Sequence, residues 1–185
     1  MGSYTYTIDA SHDDSYFNGG LSVCYNTAAY LTVSSYTEGY PLYGALRFVN
    51  VLLAQGVKVL SAYLRLRAAT DGGSVPVRIR GILQANPGAW ENPNCNPDSR
   101  PVTTAFVDWS TGVLTAGAWY NTADLSAVLQ EALDQGTRVS GDAVAFMLAA
   151  TGGVAADFST YDLGDHSSAP QLIISAMPRV MGFMM

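Results

Sequence analysis

The sequence predicts an all-β sandwich or barrel carrying one short helix. Three observations lead there: apolar and polar residues alternate with period two in several short segments, glycine-, asparagine- and aspartate-rich turns separate them, and a single stretch has helical periodicity. The first half of the chain supplies strand patterns at 4–8, 21–25, 29–34 and 45–51, with Asn18-Gly19-Gly20 as a turn between the first two. The clearest alternation runs over 59–68. There Leu60, Ala62, Leu64, Leu66 and Ala68 share one face, and Ser61, Tyr63, Arg65 and Arg67 take the other. Asp71-Gly72-Gly73 supplies turn chemistry, and Val75, Val77 and Ile79 then alternate with Arg78 and Arg80. The two strands are expected to form a hairpin whose outer face gathers Arg65, Arg67, Arg78 and Arg80.

The segment 84–101 holds Pro87, Pro93, Pro97 and Pro101 among several asparagines and reads as a long surface loop. Strand pattern resumes at 102–109. From 124 to 133, Leu125, Val128, Leu129, Ala132 and Leu133 fall at i, i+3, i+4, i+7 and i+8, one apolar stripe of a helix expected at about 123–134. Thr122 or Asp124 can cap its start, and Gly136 is placed to end it. Segment 143–149 is apolar on both faces, as a central strand covered on both sides would be. Gly152-Gly153, a strand at 155–161, the turn-rich stretch 164–170 and a last strand at 171–175 complete the pattern.

At 185 residues, with 49% hydrophobic and 13% charged residues, the chain fits a single domain over 1–185 with its own core, ending in an apolar tail at 177–185. A net charge of −6 argues against binding to a phosphate backbone or to an anionic membrane surface, so neither nucleic acid nor membrane is an expected partner. No stretch is apolar for long enough to span a bilayer, and the first residues lack a basic-then-apolar leader. The expectation is a protein made in the cytoplasm. Cys24 and Cys95, the only two cysteines, are expected as reduced thiols, although a disulfide between them is open.

Phosphate loops, nucleophile elbows and zinc helices are missing, and His12 and His166 are the only histidines, so catalysis is not expected. The loop acids Asp13, Asp14, Asp162 and Asp165 lie near the two chain ends, where terminal strands tend to meet. They are either solvated turn residues or oxygen ligands for calcium. No other cofactor is expected. Trp90 in the proline-rich loop, with Tyr36, Tyr40 and Tyr43, either forms an exposed stacking platform for a glycan or an interface, or folds back over the core edge. Trp109 and Trp119 are expected in the core. Met181, Phe183, Met184 and Met185 make the tail adhesive, either to its own sandwich or to a neighbouring subunit.

Six segments in order, YGALRFVNVLLAQGVKVLSAYLRLRA, VPVRIRG, VTTAFVDWS, TADLSAVLQEAL, SGDAVAFMLAA and DFSTYDLGDHSSAPQLIIS, resemble jelly-roll β-sandwich domains of the DNRLRE type, related to carbohydrate-binding modules. The resemblance covers about residues 40–176. Similar domains occur in secreted bacterial proteins and phage virion proteins. It implies two antiparallel sheets in jelly-roll order, a short helix from Asp124 to Glu131, and no catalysis. The function it implies is a virion structural protein, in particular a capsid decoration protein. Such a protein would associate with itself, a trimer first, and clamp a major capsid protein; Arg65, Arg67, Arg78 and Arg80 either pair with acids on neighbouring strands or, like the tail, serve as docking elements. A carbohydrate-binding module or a tail- or fibre-associated domain is the alternative.

Overall fold

The computed structural model describes residues 1–19, 21–37, 40–91, 95–152, 155–164 and 166–177, without the side chains of 36, 37 and 40. Two antiparallel sheets pack face to face. The strands are β1 (Gly2–Thr7), β2 (Asp14–Asn18), β3 (Val23–Tyr25), β4 (Tyr30–Thr37), β5 (Tyr40–Phe48), β6 (Lys58–Arg67) and β7 (Pro76–Gly81). After them come β8 (Val107–Ser110), β9 (Trp119–Asn121), α1 (Ser126–Leu133), β10 (Val144–Ala150), β11 (Ala156–Ser159) and β12 (Gln171–Met177). The smaller sheet runs β1-β12-β6-β9 and the larger β11-β4-β5-β10-β7-β8, with β2 on β5 and β3 on β2.

Leaving aside β2, β3, β4 and β11, eight strands remain, and they pair as one folded antiparallel ribbon. β7 pairs with β8 at its tip, then β6 with β9, β5 with β10, and β1 with β12 at its base. Curling that ribbon places β12 beside β6 and β10 beside β7, which generates the two sheets. This is jelly-roll order. Both termini of the sandwich lie at the ribbon's base, where Gly2 to Thr7 run opposite Ala176 to Gln171.

The alternation pattern explains the core. Leu64 and Leu66 from the smaller sheet meet Leu46, Phe48, Val77, Ile79, Phe146 and Leu148 from the larger, all buried. The helix stripe Leu125, Val128, Leu129 and Leu133 joins the same cluster. Asp124 holds the start of α1: one carboxylate oxygen accepts from the N–H groups of Ser126 and Ala62, both at 2.9 Å. Thr122 is instead drawn to Leu64, whose N–H it accepts at 3.1 Å. The helix stops at Asp134, before Gly136.

Three expectations fail for identifiable reasons. The hairpin between 59–68 and 75–79 does not form, because β6 lies in one sheet and β7 in the other. The intervening turn crosses the sandwich, held where Gly72 and Leu114 exchange backbone hydrogen bonds. Each strand turns its apolar face to the same core from opposite sides, and alternation alone cannot tell that from pairing. An extra residue in β6, Leu60, lies opposite the Ser175–Ala176 step of β12, so Val59 rather than Leu60 turns inward. Trp119, expected in the core, is half-buried on the short edge strand β9, with the Arg65 guanidinium 4.8 Å from its ring centre. Trp109 is buried against Phe158, as expected.

Candidate functional site

The outer face of the larger sheet is not left wet. Strand β10 buries Val144, Phe146 and Leu148 inward and Ala145 and Met147 outward. The outward pair belongs to a second apolar cluster with Phe17, Ala45, Ile82, Trp90 and Cys95. Trp90 is the largest member and is 0% exposed. The described residues of the 84–101 loop therefore lie across the sheet, with its tryptophan as the anchor.

Polar side chains fix that loop from both ends. Arg47 of β5 donates to the Pro87 carbonyl at 2.7 Å and pairs with the Asp13 carboxylate. The Trp90 N–H donates to the His12 carbonyl at 2.8 Å, and Asn26 Nδ2 donates to the Trp90 carbonyl at 3.0 Å. Arg100 lies 4.0 Å over the indole and donates to the Gly88 and Ala89 carbonyls. A cleft of about 510 Å³ opens beside it, lined by Gln84, Gly88, Ala89, Glu91, Ser99, Arg100 and Pro101. Burial of the Arg100 guanidinium, followed by repulsion from Arg47, lowers its pKa from the usual arginine value.

Next to the loop's anchor, the two acidic regions of the sequence converge. Asp14 opens β2 opposite Leu46, a position that faces the core, and it is 1% exposed. One of its oxygens accepts the Tyr161 N–H at 2.8 Å, and Asp162 accepts the Ser11 hydroxyl at 2.7 Å. Among the described residues, the other oxygen of each carboxyl is buried without a hydrogen-bond partner. Burial first, then the charges of Asp162 and Asp13, push the Asp14 carboxyl up to about 7. His166 stacks on Tyr161 at 4.0 Å and contacts the Tyr161 carbonyl through Nδ1 at 2.9 Å.

The structure sorts the sequence candidates unevenly. Asp14 and Asp162 meet, whereas Asp13 faces Arg47 and Asp165 lies outside the described residues. Among the described residues no group of three or more acids, histidines and cysteines converges as a metal cage would require. Trp90 is no exposed platform: apolar contact on the outward face of β10 draws it in. Tyr43 is half-buried beside the same cluster, and the side chains of Tyr36 and Tyr40 lie outside the described residues.

The four arginines do not form one patch, because β6 and β7 belong to opposite sheets. On the smaller sheet, Arg65 reaches Gln171 at 3.4 Å, and Arg67 reaches the Gly117 carbonyl and the Ser168 hydroxyl. On the larger sheet, Arg78 forms a two-pronged pair with Asp108 at 2.8 and 2.9 Å. Phe106 lies under Arg78 and Arg80, 4.1 and 5.4 Å from its ring centre. Met181, Phe183, Met184 and Met185 lie outside the described residues.

Sequence reasoning missed Arg138, which is 4% exposed and donates to the carbonyls of Leu53, Ala85, Asp142 and Ala143. The missable signal was an arginine in a turn flanked by Gly136 and Gly141. Together, fold and site define a jelly-roll β-sandwich with one outer face closed by its own long loop. No family model matches the chain, and no curated protein matches it.

Proposed function

We propose that this chain is a non-enzymatic structural protein of a phage virion, a decoration protein that associates with itself and clamps a capsid shell. The observation that carries the reading is where polar and apolar groups are used. Asp13, Arg65, Arg67 and Arg78 are engaged in internal bonds and Trp90 is buried, while large apolar side chains stand out in water. Leu52 and Val139 are 63% and 61% exposed on two loops at one end of the sandwich. Arg138 and the Gly141 N–H hold those loops together by bonding to the carbonyls of Leu53 and Val51. Exposed apolar side chains on rigid loops are the kind of surface that subunit contacts bury. Beyond β12 the sequence continues as an apolar run rich in methionine, which suits contact with a second subunit. The resemblance to jelly-roll domains of virion proteins agrees with this.

The test is a paired change at that end. Leu52→Asp combined with Val139→Asp lowers the solution mass and abolishes binding to capsids while the circular dichroism spectrum is retained. Removing residues 180–185 does the same if the tail shares the contact. Unchanged mass and capsid binding in both variants refute the reading.

The cleft beside Arg100 favours a second reading, a carbohydrate-binding domain. Gln84, Glu91, Ser99 and Arg100 offer donors and acceptors around a volume that admits a sugar. A glycan array that stays silent with and without calcium ends it.

A further inference from the structure

Cys24 and Cys95 are 71 positions apart in sequence and adjacent in space. Cys24 lies half-buried on β3, opposite Phe17 of β2, and Cys95 is buried in the loop that covers the sheet. Cys24 Sγ lies 3.9 Å from the Cys95 carbonyl oxygen, 3.8 Å from that of Trp90 and 3.1 Å from the Ser15 hydroxyl. The Cys24 thiol, in contact with the Cys95 carbonyl, is near enough to the Cys95 thiol to help raise its pKa. One belongs to a three-residue strand, the other to a loop, so neither is locked into an extended ladder that would resist the small adjustment a disulfide needs.

We propose that Cys24 and Cys95 form a reversible disulfide that staples the 84–101 loop to the outer face of the larger sheet, with a low-molecular-weight disulfide such as oxidised glutathione as the oxidant. Cys24 is the entry point because it is the more accessible of the two. Its thiol loses a proton and attacks one sulfur of the oxidant. The oxidant's S–S bond breaks, and one glutathione leaves as a thiolate that takes up a proton. The Cys95 thiol then loses its proton and attacks Cys24 Sγ, releasing the second glutathione. Two protein thiols are oxidised, and one disulfide is reduced to two thiols.

The environment sets the order and the rate of these steps. Burial, followed by the contact with Cys24, pushes the Cys95 thiol up to about 12, so it is a slow second nucleophile near neutrality. Closure of the ring therefore speeds up as pH rises. A cross-link over so long a segment constrains the unfolded chain strongly, and the oxidised protein should melt about 5–15 °C higher than the reduced one. The inference stands apart from the decoration reading, since it rests only on the two thiols.

The test incubates the native protein with oxidised glutathione and follows intact mass, alkylation and melting. Expected are a product lighter by two hydrogens, a peptide pair joining 24 to 95, a raised Tm and full reversal by dithiothreitol. In Cys95→Ser the reaction stops at the glutathione adduct on Cys24. The proposal is overturned if both wild-type thiols still alkylate at equilibrium. A product that is a stable glutathione adduct or a Cys24-linked dimer overturns it equally.

Discussion

Replacing Asp14 by asparagine should make the protein more stable, and increasingly so as pH rises. Asp14 is buried opposite Leu46, with one oxygen bound to the Tyr161 N–H and the other unpartnered. Its carboxyl titrates at about 7 in the fold, against 3.8 when free. A raised acid holds its proton in the folded state after the unfolded chain has released it. The stabilisation is therefore complete below pH 3.8, declines as pH rises, and is gone once pH passes about 7. A shift of about 3 units corresponds to about 4 kcal/mol in total. Of this, about 3 kcal/mol is lost between about pH 5 and about pH 8. Asparagine keeps the acceptor for Tyr161 and cannot ionise, so it escapes the loss. Unfolding in urea, followed by circular dichroism in the presence of a chelator, should show the variant's advantage widening by about 3 kcal/mol over that range. Heating should show a gap widening by about 6–12 °C. A difference between the two proteins that stays constant with pH refutes the buried, protonated Asp14. Restoration of wild-type stability by calcium at the alkaline end would mean that a metal, rather than a proton, compensates the Asp14–Asp162 pair.

Other expectations follow from single contacts. Trp90→Ala empties the centre of the outer cluster and costs about 3–5 kcal/mol in chemical denaturation; a loss of under about 1 kcal/mol contradicts a buried anchor. Arg138→Met strips the donors from four carbonyls and costs about 3 kcal/mol or more, seen as a lower urea midpoint and faster amide exchange around 51–53 and 142–143. Gly44→Ala places a methyl carbon 2.9 Å from Leu31 Cδ2 and 3.0 Å from Val33 Cγ2, so it should destabilise by about 1–3 kcal/mol, and a simultaneous Leu31→Ala should recover part of the loss.

Much of the fold was legible because burial in a sandwich follows period two. The strands at 62–68 and 75–79 announce their inward residues, 143–149 announces burial on both faces, and the helix announces its stripe. Strand partners were not legible. Both β6 and β7 face one core, and the choice between neighbour and opposite sheet is made by what surrounds the turn, here Gly72 on Leu114. Strand β2 was missed because Asp14-Ser15-Tyr16 looks like polar loop; its one strongly apolar residue, Phe17, faces a cluster that exists only once the 84–101 loop has folded over it. The same cause hid the fate of Trp90. The outward apolar residues of 143–149 did signal that something covers that face, but nothing local named the tryptophan as the cover. The meeting of Asp14 and Asp162 was legible because the terminal strands pair. The arginine that claims Asp13 lies on β5 and is linked to it only by tertiary structure.

The claim at the centre is self-association, and the solution mass of the purified protein tests it most directly. Light scattering should return a closed multiple of the 19.6 kDa chain, a trimer first, that persists on dilution. A single-chain mass at every concentration would contradict it.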